Sequence, residues 1–305
     1  MKAEIKIKTV SEFIDLANEK FISLKDIDEI FLPWFRGEQS TDLLTPLVPG
    51  IYRKFGGPLD NQGHNSHVFE QSKIIEINQK AKFKRFATKF LASQNIESNS
   101  WNEYYLMQHY GVKTRLLDWT ESALLALYFA VMNVDNGLDG RVWILSPHRL
   151  NNFSMNTLIK IIKKDFSCIY FPQSSISHPI IDKEGRVNLD ELTRRYLNLD
   201  FSYDDNLNND YYPLAIYPYL IDERMFSQQS CFTIFGNIVN GLLSAPSKDD
   251  FIKSIIVDST SKRDIRDELK WLGISNKSIY PDLTGICNSI EEDYNIDNLI
   301  LKKIK

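Results

Sequence analysis

Three stretches, far apart in the chain, carry polar residues that packing alone does not require. The first is Trp34-Phe35-Arg36-Gly37-Glu38, where an arginine ends an apolar run. A guanidinium at a strand end offers a planar fork of donors suited to a phosphate or pyrophosphate. Gly37 would let a ligand come close to the backbone. Pairing of Arg36 with Glu38 or another carboxylate, to orient the loop, is the plainer reading of the same residues. The second stretch, residues 105–130, reads YLMQHYGVKTRLLDWTESALLALYFA. It sets His109, Tyr110, Arg115, Asp118 and Thr120 around one strand–helix junction. Capping accounts for some of them: His109 suits a helix C-terminus, and Asp118 or Thr120 can cap the next helix. Arg115 and Asp118, three apart on one strand, point to opposite faces and are not a same-face ion pair. The third stretch runs from Glu223 through Arg224, Gln228 and Gln229 to Phe232. A Gln just before an apolar strand can hydrogen-bond a ribose hydroxyl or merely close a turn.

The elements that must position these residues are legible in outline. Ala3, Ile5 and Ile7 alternate with charged residues as a short strand, and a Thr9/Glu12 capping box opens a helix. Residues 30–35 carry Pro33 and read as an edge or bulged strand. Residues 38–65 read as a long functional loop. A helix lies within 66–93, with Phe83, Phe86, Ala87, Phe90 and Leu91 as its apolar face. Lys80, Lys82, Lys84, Arg85 and Lys89 are its solvated face or, more sharply, a phosphate-binding surface. Ser100 and Glu103 form a second capping box, and Gly111 suits the left-handed position after that helix. A strand over 112–119 leads to a helix over 121–134, apolar almost all round and therefore central. Further strands are expected at 142–145, 213–220, 232–235 and 255–257. Further helices are expected at 154–164, 188–198, from Ser261 to Gly273, and after Pro281, with a short turn or helix at 223–227. The irregular order gives an α+β fold, a central mixed or antiparallel sheet flanked by helices.

The composition sets bounds. The 305 residues are 43% hydrophobic with a net charge of −4, enough for one large or two small domains and not generally basic. The three cysteines, Cys168, Cys231 and Cys287, are widely spaced and fit a reducing compartment. No stretch approaches the roughly 18 apolar residues of a membrane span, and the N-terminus lacks a signal-peptide core. A soluble cytoplasmic protein without a membrane partner is expected. Dinucleotide-binding Gly-x-Gly-x-x-Gly, P-loop and nucleophile-elbow patterns are absent. His64 and His67 would need further ligands to hold a metal, and none is expected.

Together WFRGE, QHYGVKTRLLDWT with ALYFA, and the Arg224, Gln228, Phe232 spacing resemble the FRG domain family, named for its Phe-Arg-Gly motif. Ser230 stands where the family's third pattern has Gly. The resemblance implies an FRG domain over 30–290, with 150–210 as a possible insertion. Residues 1–29 lead in and 291–305 form a tail. The order of parts also resembles the ADP-ribosyltransferase fold. That likeness implies an NAD-consuming glycosyltransferase, plausibly a toxin or phage-defence effector modifying RNA, DNA or protein, with a neutralising antitoxin or inhibitor as partner. It would give Arg36, Gly37, Arg115, Thr120 and Arg224 to NAD, and catalysis to His109, Tyr110, Asp118, Gln228 and Glu38. Gln228 takes the place of the usual late-strand Glu, so the carboxylate would come from Glu38, Asp118 or Glu223. A non-catalytic nucleotide sensor and a metal-dependent nuclease are the alternatives.

Overall fold

The structure is a computed structural model, describing residues 5–24, 32–53, 66–159, 188–201 and 209–294. In chain order, a strand β1 (Lys6–Ile7) and helix α1 (Val10–Leu24) precede β2 (Trp34–Glu38), α2 (Gly50–Arg53), the long α3 (Ser66–Ser93) and α4 (Ser100–His109). Then come β3 (Leu116–Thr120), α5 (Ala123–Val131), β4 (Gly140–Leu145), α6 (Pro147–Leu158), α7 (Leu189–Asn198) and β5 (Leu214–Ile216). The C-terminal part holds α8 (Glu223–Ser227), β6 (Ser230–Ile234), α9 (Gly241–Ser244), β7 (Ile252–Val257), α10 (Lys262–Trp271), α11 (Asn276–Ile279) and α12 (Leu283–Tyr294).

The strands form one seven-stranded sheet in the order β1-β7-β4-β2-β3-β6-β5. The β1–β7 pair is parallel and the other pairs are antiparallel, so the α+β expectation of a mixed sheet holds. The strand carrying Arg36 is central, between β4 and β3, and not an edge. Pro33 sits just before β2, where it costs the ladder no donor.

The two faces of the sheet follow strand alternation. Phe35, Val142, Ile144, Ile255 and Val257 face α1, α5 and α10. Trp34, Trp143, Leu145, Leu117 and Trp119 face the opposite core, with α2 and the start of α3. A third cluster joins α4, α6 and α7 to β5 and β6. Helix α5 starts where Ser122 Oγ accepts from Leu125 N at 3.3 Å, and it lies on β2 and β4. Gly37 makes that approach possible. A Cβ there would stand 2.0 Å from Ala126 O and 2.6 Å from Ala130 N. The ligand-approach reading of Gly37 is therefore corrected: its bare face is filled by α5, although the residue also borders the cavity described below.

Other expectations shift locally. Helix α3 has the expected place, but Phe86 and Phe90 on its proposed apolar face are exposed, whereas Leu91 is buried. Asn99, not Ser100, caps α4, accepting from Asn102 N at 2.8 Å. Gly111 adopts a φ of +88° beyond it, as the stop signal requires. Neither Asp118 nor Thr120 caps α5; Thr120 Oγ1 accepts from Ser122 N instead. Expectations for His64, Cys168, residues 160–187, 202–208 and 295–305 lie outside the described residues. Among the described residues no helix is long and apolar enough to cross a membrane.

Candidate functional site

A cavity of about 580 Å³ opens where β2 meets β3, lined by both strands, the end of α4, α2 and the α8–β6 junction. Arg36 projects into it from β2, on the face opposite Phe35. Its Nη1 donates to the Asp118 carbonyl at 2.8 Å and lies 3.8 Å from Asp118 Oδ2. Its Nε stands 3.7 Å from Glu38 Oε1 and has no hydrogen-bond partner. The pairing reading of Arg36 is thus seen in the geometry: the fork is held by the Asp118 carbonyl and stands beside two carboxylates, at the wall of the cavity.

Glu38 shares that face but is buried, and its oxygens are taken. Oε2 accepts from Trp143 Nε1 at 2.7 Å, and Oε1 accepts from Leu47 N at 3.3 Å. Asp118 is the open carboxylate, with its side chain 56% exposed. Gln108 Nε2 donates to it at 2.9 Å, and Thr114 Oγ1 donates to Gln108 Oε1 at 2.6 Å. Asp118 is therefore held in place while remaining accessible.

Two further guanidiniums face the same cavity. Arg53, on α2, donates through Nε to Val48 O at 2.7 Å. Burial lowers its pKa, and the nearby Arg36 lowers it further. That repulsion is what an anion placed between the two would relieve. Arg224, on α8, lies over the Tyr280 ring at 4.8 Å, and its Nε has no hydrogen-bond partner. Gln228 ends α8 at the cavity wall, followed by Gln229 in a left-handed conformation with φ of 47°. Ser230, where a Gly would suit close backbone approach, begins β6 on the same wall.

His109 lines the cavity from the last turn of α4, its side chain 6% exposed. Burial lowers its pKa, outweighing the pull of Asp222, so the ring is neutral near pH 7. Tyr110 lies outside the lining, 57% exposed, its ring edge-on to His109. Thr120 borders the cavity but is nearly buried.

Arg115 is corrected from ligand holder to interior tie. It is fully buried, away from the cavity, and precedes β3 rather than lying within it. Its Nε donates to Glu76 Oε2 at 2.8 Å and its Nη2 to Glu76 Oε1 at 3.0 Å. Nη1 and Nη2 also donate to the carbonyls of Phe235 and Tyr196. One guanidinium thus joins α3, α7 and the end of β6. Four of its five donors are taken, and its burial away from the cavity leaves it no route to a phosphate there.

The structure brings together Arg36, Gly37, Glu38, His109, Asp118, Thr120, Arg224 and Gln228. It adds Arg53, Gln108 and Tyr280, which the sequence reading passed over. Gln108 stood within the QHYG stretch. Arg53 and Tyr280 carried no pattern of their own. Among the described residues no three His, Cys, Asp or Glu side chains group as a metal ion would need.

The FRG domain family model matches residues 33–137, a span that holds Arg36, Gly37, Glu38, His109 and Asp118. Arg224 and Gln228 lie beyond the matched span but on the same cavity. No curated protein and no solved structure matches the chain.

Proposed function

We propose that the protein is an NAD-dependent ADP-ribosyltransferase acting in the cytoplasm, as a toxin or phage-defence effector that modifies a nucleic acid or a protein. The observation that carries this reading is the convergence of Arg36, Arg53 and Arg224 on one cavity that is also lined by the Asp118-Trp119-Thr120 strand end. Three guanidiniums suit the diphosphate of a dinucleotide better than any neutral ligand. A volume of about 580 Å³ falls within the range of small-molecule sites, roughly 300–1,000 Å³.

In this reading Arg36 and Arg53 take the diphosphate, and Gln228 orients the ribose from the α8–β6 junction. When the bond between ribose and nicotinamide breaks, positive charge develops on the sugar. A carboxylate that reaches the cavity stabilises it. In this reading Asp118, the accessible carboxylate on the cavity, takes that role. Glu38 is committed to Trp143 and Leu47, and Glu223 is exposed and outside the lining. As a toxin the protein would require a neutralising partner in its own cell.

The test is incubation of the pure protein with NAD, with and without RNA, DNA or cell lysate, following nicotinamide release and label transfer. Release with transfer to one acceptor class is the expected result. Binding of NAD without release under every condition would leave a nucleotide sensor, and the transferase reading would fall.

A further inference from the structure

His109 Nε2 lies 3.6 Å from Asp222 Oδ2. The two side chains are 6% and 17% exposed. Both atoms are closed off from solvent and have no hydrogen-bond partner. Buried polar atoms are rarely left in this state, and here each is the other's available counterpart. The other Asp222 oxygen, Oδ1, accepts from Met225 N at 2.7 Å as the N-cap of α8, which holds the carboxylate still. Because Nε2 is turned to Asp222 and closed to solvent, Nδ1 is the ring nitrogen left to accept a proton.

We propose that His109 and Asp222 form the proton-accepting dyad of this cavity, and that the acceptor substrate presents a nucleophile that carries a proton, such as a hydroxyl group. The proposal rests on the ADP-ribosyl-transfer reading and assigns it a base and an acceptor chemistry. The acceptor O–H bond breaks and its proton passes to His109 Nδ1. The oxygen's electron pair forms a bond to the anomeric carbon of the NAD ribose. The bond from that carbon to the nicotinamide nitrogen breaks, its electron pair stays on the ring, and nicotinamide leaves neutral. Asp222 stabilises the imidazolium until its proton passes to water. A carboxylate acceptor would bring no proton to remove and would need no base. The dyad therefore serves acceptors whose nucleophilic atom carries a proton, among them the hydroxyl of a ribose or of a Ser, Thr or Tyr side chain.

The surroundings suit a base. The charged groups acting on His109 are Asp222 and Arg224 at α8, Asp118 on β3 and Asp282 beyond α11. Burial is the largest influence and favours the neutral ring, which is the form able to take a proton.

Three proteins decide the matter: the wild type, Asp222→Asn and His109→Gln. Asn caps a helix about as well as Asp, so Asp222→Asn keeps the start of α8. NMR titration of the His109 ring comes first and needs no turnover. Removing the Asp222 charge is expected to lower the ring's pKa, and an unchanged titration overturns the dyad. The second readout is transfer rate against pH. The wild-type rate should rise through the His109 pKa and then level off. In Asp222→Asn that limb should move to lower pH. In His109→Gln it should vanish, with the plateau reduced about 10²-fold or more and the KM for NAD unchanged. Turnover with an unaltered limb in both variants overturns the dyad alone. No nicotinamide release from any of the three overturns the transferase reading and the base role with it.

Discussion

Arg36 Nη1 donates to the backbone carbonyl of Asp118 at 2.8 Å, joining residues 82 apart in the chain. Strands β2 and β4 share five residue pairs, but β2 and β3 share one, Phe35 with Thr120. Beyond that pair the backbone ladder stops and the guanidinium becomes the bridge. The seam it spans is where the cavity lies, so the residue that closes the sheet also lines the cavity.

Replacing Arg36 by Ala should therefore weaken NAD binding about 10- to 100-fold, the equivalent of one charge-assisted hydrogen bond at about 1.5–3 kcal/mol. Arg36→Lys keeps the charge but loses the planar fork, and should recover little of it. Isothermal titration with NAD measures both, and wild-type affinity in Arg36→Ala would remove the phosphate-holding role.

Gly37→Ala should destabilise the fold without touching a ligand. The added methyl would meet Ala126 O at 2.0 Å and Ala130 N at 2.6 Å, and both are backbone atoms of a buried helix that cannot rotate away. Overpacking of this kind costs about 1–3 kcal/mol, or prevents folding. Urea unfolding gives the number, and an unchanged midpoint would mean that α5 is free to shift.

The sequence made some of this legible and hid the rest for physical reasons. Gly111, Ser261 to Gly273 and Pro281 announced element ends correctly because they act locally, through backbone conformation. Arg115 misled because an arginine inside a polar stretch looks the same whether its partner is a phosphate or Glu76, 39 residues earlier. Arg53 was invisible because its place at the cavity depends on where α2 docks, which no spacing encodes. Pro33 pointed to an edge strand, whereas it needed only to precede a central one. Asp222 caps α8 through one of its two oxygens, and no spacing encodes that the other turns to His109.

Breaking the Arg115–Glu76 pair should cost more stability than removing the charge of Asp118 or Glu38 at the cavity. Both side chains are fully buried, and removing one leaves the other's charge uncompensated, at about 3–5 kcal/mol. Arg115→Met and Glu76→Gln should each show this loss in thermal unfolding. Burial would raise the Glu76 pKa, but Arg115 and Lys80 outweigh it and lower the value below the ordinary 4.5. A depressed carboxylate pKa stabilises the fold above the unfolded value, and that contribution is lost as pH falls through the folded one. Wild-type stability should thus drop below about pH 4.5, and in Glu76→Gln this component of the drop should be missing.

The two carboxylates on the cavity can be told apart by paired amide substitutions. Asp118→Asn leaves an exposed side chain that still accepts from Gln108 Nε2, so stability should change by no more than about 0.5 kcal/mol. If Asp118 stabilises the charged sugar, kcat should fall about 10²-fold or more while the KM for NAD holds. Glu38→Gln has one acceptor oxygen where Trp143 Nε1 and Leu47 N now have two. One buried donor is left unpaired, at a cost of about 1–3 kcal/mol in unfolding free energy. Its kcat, measured below the unfolding transition, should fall far less than that of Asp118→Asn. The opposite ranking would transfer the catalytic role to Glu38 and leave Asp118 as the anchor of the Arg36 bridge.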